Sequence, residues 1–147
     1  MATWIKRFAS LPWIAEVIAL LGGLVYLIQA IKYAAMQVSI LDEGAYLYKG
    51  YLFATGQYTP FQEYGPWGNH MPFSFLIPGY VQTIFGPGLR TGRYFSIALA
   101  LFMLLGLWIV SRRLGGRWWA MSAIWAVALN PMFSRIYSGA YSQVLIA

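Results

Sequence analysis

The chain of 147 residues has no cysteine, one histidine and only four acidic residues. The absence of cysteine excludes disulfides and thiolate metal sites. Charged residues make up 10% of the chain, whereas an ordinary soluble domain has about 25%. The sequence also lacks a P-loop, a dinucleotide-binding fingerprint and the HExxH and GxSxG motifs, so none of those chemistries is predicted.

Apolar residues make up 60% of the chain and aromatic residues 18%. This composition predicts an integral membrane protein with Trp and Tyr near the lipid–water boundaries. Three apolar runs, at about 13–35, 93–111 and 117–133, approach the ~20 residues that a helix needs to cross a bilayer. The net charge of +6 does not predict nucleic-acid binding, because the basic residues flank the apolar runs instead of forming one soluble basic face.

A fourth apolar run, at about 71–86, either crosses the membrane or lies along its surface. It is short and contains Pro72, Pro78 and Gln82. The dense basic turn RRLGGR, residues 112–117, is expected in the cytoplasm, as is the basic N-terminus. That arrangement requires an even number of crossings between the two, so the run at 71–86 is predicted to be a juxtamembrane helix.

The sequence therefore predicts an all-α polytopic membrane protein with an external loop at 36–92. The loop is expected to contain amphipathic helices near 42–55 and 71–86. No cleavage site follows the first span, which predicts a retained signal anchor. The last apolar run has no stop signal, so we expect an N-terminal part of a longer protein. With few small residues to pack the spans, this part alone is expected to be loosely packed and inactive.

The acidic residues of the external loop are the main candidates for chemistry. Asp42 and Glu43 follow the first span directly, and Glu63 lies further along the loop. The pair either favours the start of a helix, by capping and through the helix dipole, or supplies a general base at the membrane surface. Helical spacing places Asp42, Tyr46 and Lys49 on one face. Glu43 caps the helix or binds elsewhere.

The other polar candidates also have two interpretations. Glu63 is either a solvated loop acid or a second carboxylate that binds a metal or the acceptor. His70 is either structural or a ligand for phosphate or a divalent metal, which makes Glu63 and His70 the candidate metal ligands. Basic residues near the outer ends of the spans either extend to lipid phosphates or bind a phosphate leaving group. These are Lys49, Arg90, Arg93 and Arg135.

The order of these motifs resembles a known family. After the first span come LDEGAYLYKGYLFATGQYTP, PFQEY, NHMPFSFLIPGYVQTIFGPGLRTGRYFS and RRLGGRWWAMSAIWAVALNP. The series is similar to the N-terminal part of GT-C glycosyltransferases that use polyprenyl-phosphate sugars. The nearest groups are the protein O-mannosyltransferase-like and aminoarabinose-transferase-like enzymes. The resemblance implies that Asp42 is the catalytic acid and Glu63 a second loop acid. It also implies that His70 and Pro72 match a His-Pro-Pro element, with Met71 replacing its first Pro.

The resemblance implies an inverting glycosyltransferase of the cell membrane. It would transfer a sugar from a polyprenyl-phosphate donor to a glycan, lipid or protein acceptor on the extracytoplasmic side, with Asp42 as general base. Glu43, Glu63, His70, Lys49 and Arg93 would support catalysis or bind donor and acceptor. The implied partners are the lipid-linked donor and membrane lipids, without nucleic acid. The alternative is a non-catalytic polytopic protein, such as a transporter-like or scaffold subunit, whose outer acids only begin helices.

Overall fold

The computed structural model describes residues 12–59 and 72–141, and neither range contains a β-strand. The first span and the two loop helices predicted from the sequence correspond to the first three helices, with bounds that agree to within one residue. The five helices of the described ranges are α1 (Pro12–Met36), α2 (Leu41–Ala54), α3 (Pro72–Phe85), α4 (Leu89–Ala128) and α5 (Pro131–Tyr137).

Within the described ranges, two helices, α1 and α4, are long and apolar enough to cross a membrane. Only 28% of the most apolar window of α1 and 22% of that of α4 is buried inside the protein. A helix in the core of a soluble protein would be mostly buried. Large apolar side chains such as Leu20 and Phe102 are 74% and 70% exposed, as expected where the surrounding solvent is lipid. The structure therefore indicates membrane association.

Helix α4 reverses direction at Gly116, whose φ of 81° lies in the left-handed region that favours glycine. In the first arm (residues 89–115), Arg93 contacts the end of α1 and Trp108 contacts its start, so this arm runs antiparallel to α1. In the second arm (residues 117–128), Trp125 Nε1 donates a hydrogen bond to the carbonyl of Ile18 near the start of α1. At its far end, Gln29 Nε2 donates to the Ala128 carbonyl, so the second arm runs parallel to α1.

The third predicted span, 117–133, is too long, because its helix ends at Ala128. Pro131 has no N–H to continue the helix, and it disfavours helical geometry in the residue before it. Asn130 is accordingly extended, with φ −94° and ψ 105°, and its side chain accepts a hydrogen bond from the Met132 N–H at 3.0 Å. A new short helix, α5, begins there.

The core between α1 and the two arms of α4 contains mostly small residues. Ala30 and Ala128 are fully buried around Tyr26, which is itself fully buried. A Cβ atom on Gly22 would lie 3.1 Å from the side chains of Ile124 and Trp125, so this glycine permits close helix packing. The expectation that few small residues pack the spans is therefore wrong. Their spacing of three or four residues places them on facing stripes, as in many membrane helices.

Helices α2 and α3 pack against each other through glycine. A Cβ atom on Gly50 would collide with the backbone of Phe75, and one on Gly79 would collide with the backbone of Gly50. Gln82 is 2% exposed and fixes the pair, because its Nε2 donates to the Leu47 carbonyl at 2.8 Å. Its Oε1 accepts a hydrogen bond from the Gly88 N–H at the start of α4. This polar residue in an apolar helix is therefore structural.

The outer face of α3 is apolar and exposed. Phe73, Ile77, Tyr80 and Ile84 recur every three or four residues, and all are at least 40% exposed. An apolar helical stripe of this kind is typical of a helix that lies in the interfacial layer of a membrane.

Candidate functional site

The two adjacent acids at the start of α2 have opposite environments. The N-cap residue is Ile40, and no side chain of the described residues forms a capping hydrogen bond there, so the expected capping role is not observed. Both acids lie in the first turn, where the helix dipole favours negative charge. Successive helical residues are about 100° apart around the axis. Glu43 therefore points inward and is fully buried, whereas Asp42 is exposed.

Glu43 forms a bidentate ion pair with Arg93 of α4. Arg93 Nε donates to Glu43 Oε1 at 2.8 Å, and Arg93 Nη2 donates to Glu43 Oε2 at 2.8 Å. The side chains are 0% and 3% exposed, respectively. Planar, charge-assisted pairs of this geometry are the stronger class of hydrogen bond. The sequence predicted both residues as supporting or ligand-binding groups; the structure pairs them with each other.

The remaining hydrogen bonds of this pair join distant segments. Arg93 Nη1 donates to the carbonyls of Ala34 and Gln37, at 2.7 Å and 2.8 Å, where α1 ends. The Ala140 N–H, beyond α5, donates to Glu43 Oε1 at 2.8 Å. Four parts of the chain therefore converge on one buried charge pair. Its geometry suits the positioning of α2 against the membrane helices.

The pKa of Glu43 reflects this environment. Burial alone would raise the pKa of the carboxyl group. The hydrogen bonds from Arg93 and from the Ala140 N–H, together with the charge of Arg93, outweigh burial and hold the pKa below its ordinary value of 4.5. Glu43 is therefore a carboxylate at neutral pH and is unsuited to exchanging protons in a reaction.

Asp42 lines an open pocket of about 210 Å³ with Ala45, Tyr46, Lys49 and Phe75. The prediction that Asp42, Tyr46 and Lys49 share one helical face is confirmed. The ring centroids of Tyr46 and Phe75 lie 4.9 Å apart and form an aromatic wall. Asp42 forms no hydrogen bond or ion pair with any residue in 12–59 or 72–141, so its carboxylate can accept a proton from a bound molecule.

A second, larger pocket of about 970 Å³ lies beside the end of α1 that holds Arg93. Lys32 and Arg135 line it together with Gln29 and Gln37, and no described carboxylate does. The sequence identified Arg135 as a cation that could bind phosphate but gave Lys32 no such role. The two come together because α5 folds back on α1, where Ser134 Oγ donates to Gln29 Oε1 at 3.3 Å. Two cations with apolar walls suit an anionic group attached to a lipid.

Three more of the predicted site residues remain to be located, namely Glu63, His70 and Arg90. Glu63 and His70 lie outside the described residues, and with them the candidate metal ligands. In the part of the chain that the structure describes, no cluster of three His, Asp or Glu residues could hold a metal ion. Arg90 is exposed and lines neither of the two pockets described above.

The site thus combines an accessible carboxylate, a cationic pocket at the same end of α1, and a buried ion pair that positions α2. Such an arrangement can accept a proton from a nucleophile and bind an anionic group beside a membrane. No family model, no curated protein and no solved structure matches this chain, so its function is inferred from the geometry of the site and the order of its motifs.

Proposed function

We propose that this protein is a multi-pass membrane glycosyltransferase of the GT-C type. It transfers a sugar from a polyprenyl phosphate to an acceptor on the extracytoplasmic side, with inversion at the anomeric carbon. The observation that carries the proposal is the contrast between the two adjacent acids. Glu43 is buried and paired, whereas Asp42 is exposed in a pocket and unpaired among the described residues.

The proposed topology has α1 and both arms of α4 crossing the bilayer. Glu16 contacts Arg112 and Arg117 at one end of the bundle, and Glu43 contacts Arg93 at the other. Because basic short loops are retained in the cytoplasm, the end with Arg112 and Arg117 is assigned to the cytoplasm. The other end, with α2 and α3, is then extracytoplasmic. The apolar outer stripe of α3 supports its placement in the membrane interface instead of across it.

In the proposed reaction, Asp42 accepts the proton of an acceptor hydroxyl or amine as that group attacks the anomeric carbon. The new bond joins acceptor and sugar, and the bond from the anomeric carbon to the phosphate oxygen breaks. The polyprenyl phosphate leaves with that electron pair, and Asp42 releases its proton to water. Attack opposite the leaving group inverts the anomeric centre, as in other single displacements at glycosidic carbons.

The second pocket supplies the charges that the leaving group requires. Lys32 and Arg135 would offset the negative charge that develops on the phosphate, and the apolar walls would contact the first isoprene units. By the resemblance of the motifs, Glu63 and His70 support the acceptor, the donor or a divalent metal. Lys49 lines the pocket of Asp42 and would contact the sugar or the acceptor.

The decisive experiment compares acid variants of the full-length gene product with a panel of lipid-linked sugars. Asp42→Asn is expected to reduce kcat by at least ~10²-fold, which is typical of losing a general base. Its folded stability should change by less than about 1 kcal/mol, because Asp42 bonds to no described residue and loses only its interaction with the helix dipole. Turnover by Asp42→Asn at the wild-type rate would remove Asp42 from the mechanism.

Glu43→Gln serves as the matched comparison one residue away. It should lower stability while turnover per folded molecule falls less than in Asp42→Asn. Absence of transfer from every donor by the wild-type protein would favour the alternative of a non-catalytic subunit.

A further inference from the structure

An apolar groove of about 680 Å³ runs between α1 and the first arm of α4. Almost all of its lining is aliphatic, including Leu20, Leu24 and Leu105, which are 74%, 50% and 51% exposed. A Cβ atom on Gly23, in the floor of the groove, would have no other described atom within 4 Å. The groove is therefore open at Gly23.

One end of the groove is polar. Glu16 and Trp108 line it there, and Trp108 Nε1 donates to Glu16 Oε2 at 3.1 Å. The guanidinium of Arg112 lies 4.9 Å from the ring centroid of Trp108 and 3.0 Å from Glu16 Oε1. Arg117 Nε lies 3.5 Å from the same oxygen. The groove thus ends directly beneath the basic turn at 112–117.

This end carries an excess of positive charge. Glu16 is one carboxylate, whereas Arg112, Arg113 and Arg117 are three guanidinium groups. Arg113 is exposed and forms no ion pair or hydrogen bond with the described part of the chain. Among the described residues, two positive charges of this turn are therefore unbalanced beside the mouth of the groove, and they complement an anionic group there.

The length of the groove matches one leaflet. Its lining on α1 extends from Glu16 to Leu27. At 1.5 Å per helical residue this is about 16 Å, roughly half of a ~30 Å hydrocarbon core. A chain that enters at the arginine end would reach the middle of the bilayer.

We propose that this groove binds an anionic phospholipid of the leaflet that faces the basic turn. One acyl chain lies in the groove against Leu20, Leu24 and Leu105. The phosphate contacts Arg113 and Arg117, and Arg112 keeps its shorter contact with Glu16, at 3.0 Å against 3.5 Å for Arg117. The charge excess distinguishes this occupant from a further apolar helix or a second copy of the chain, since neither requires a cationic mouth. The site is separate from the candidate donor pocket, which lies at the opposite end of α1.

Native mass spectrometry tests the proposal with the purified protein and an equimolar mixture of phosphatidylglycerol and phosphatidylcholine with identical acyl chains. Phosphatidylglycerol should be retained about fivefold or more over phosphatidylcholine, from roughly 1 kcal/mol for each basic residue near an anionic headgroup. Arg113→Gln should reduce that preference and leave the fold unchanged, since Arg113 has no described partner. Arg90→Gln, the same charge change at the other end of the first arm of α4, should not reduce it.

A second pair of variants tests the groove itself. Gly23→Leu places a side chain in the open floor and should reduce the retention of both lipids. Gly106→Leu, on the first arm, is the control, because Gly106 also has open space around its Cβ position but does not line the groove. Phosphatidylglycerol with a photoactivatable acyl chain should label peptides that contain Leu20, Leu24 or Leu105 in the wild-type protein. It should not label them in Gly23→Leu.

Three results would overturn the proposal. The first is equal retention of the two lipids by the wild type. The second is unchanged retention in Gly23→Leu. The third is a disulfide between copies through Leu24→Cys or Leu105→Cys with no lipid bound, which would assign the groove to a second copy.

Discussion

The guanidinium group of Arg93 binds both carboxylate oxygens of Glu43 at 2.8 Å, although the two residues are 50 positions apart. The pair is buried and every side-chain nitrogen of Arg93 donates a hydrogen bond. It therefore joins α2 to the end of α1 and to α4 without contributing a free charge. The neighbouring Asp42 is left as the exposed acid of α2.

Removal of either member of this pair should strongly destabilise the protein. Arg93→Leu leaves a buried carboxylate without its cation, and such losses typically cost about 3–5 kcal/mol of the free energy of unfolding. The double variant Glu43→Leu with Arg93→Leu should lose less than the sum of the single variants, because no buried charge is left. Chemical unfolding in detergent micelles measures these differences.

Arg90→Leu is the control for the loss of a cation from the same turn of α4, because Arg90 is exposed. It should change the free energy of unfolding by less than about 0.5 kcal/mol. A loss as small as this for Arg93→Leu would show that the pair contributes little to the fold.

Stability should also depend on pH through Glu43. Because the pKa of Glu43 in the folded protein lies below its ordinary value of 4.5, the folded state favours the carboxylate. The stabilisation is complete above pH 4.5 and is lost as the pH falls through the lower pKa of the folded protein. The unfolding temperature, measured from pH 7 downward, should therefore decrease below about pH 4.5.

Two variants distinguish the contribution of Glu43 to this pH dependence from that of the other acidic residues. Glu43→Gln should remove part of the decrease, whereas Asp42→Asn, which leaves the ion pair intact, should retain it. An identical pH profile for wild type and Glu43→Gln would exclude Glu43 as the source.

The sequence predicted the features that depend on local pattern. Apolar run length and polar boundaries were sufficient for α1, α2 and α3, and helical spacing was sufficient for the shared face of Asp42, Tyr46 and Lys49. The pairing of Glu43 with Arg93 could not be predicted, because it depends on how the first arm of α4 packs against α2. The resemblance favoured Asp42 over Glu43 as the base, and the structure adds that Glu43 is buried whereas Asp42 is exposed.

Two errors in the sequence analysis have a common cause. The third span was extended past Ala128, and the small residues of the spans were judged too few for close packing. Both judgements considered each segment alone. The helix breaks at Asn130 and Pro131, and α5 then returns toward α1. The alanines permit close packing because they face one another across helices. The same return brings Arg135 to Lys32, which lies 103 positions earlier in the sequence.

The close contact of α2 and α3 should be sensitive to a single methyl group. Gly50→Ala should destabilise the protein by about 1–3 kcal/mol, because the added Cβ would collide with the backbone of Phe75. Gly44→Ala is the matched control on the same helix, since nothing lies within 4 Å of its Cβ position. It should be neutral or stabilising by up to about 1 kcal/mol, because alanine favours helix more than glycine does. Equal effects of the two substitutions on the free energy of unfolding would contradict this packing.

The proposed topology can be tested by labelling single cysteines, because the natural chain has none. Gln57→Cys and Leu114→Cys are suitable because both positions are exposed and lie at opposite ends of the bundle. A membrane-impermeant maleimide added from outside intact cells should label Gln57→Cys and should not label Leu114→Cys until the cells are opened. Labelling of both from outside would show that an additional segment between them crosses the membrane, with α3 as the candidate.

The cationic pocket should affect the use of the donor. If Lys32 and Arg135 bind the phosphate of the lipid-linked sugar, their joint replacement by Gln removes two charge-assisted contacts. Loss of even one such contact should reduce kcat/KM for the donor by at least about tenfold in the full-length gene product. The effect on KM for the acceptor should be small, because the acceptor is assigned to the pocket of Asp42. Arg90→Gln again provides a control for charge at the same membrane face. If the double variant kept the wild-type kcat/KM, the donor phosphate would have to bind elsewhere. The role proposed for Asp42 would not be affected by that result, because Asp42→Asn tests it separately.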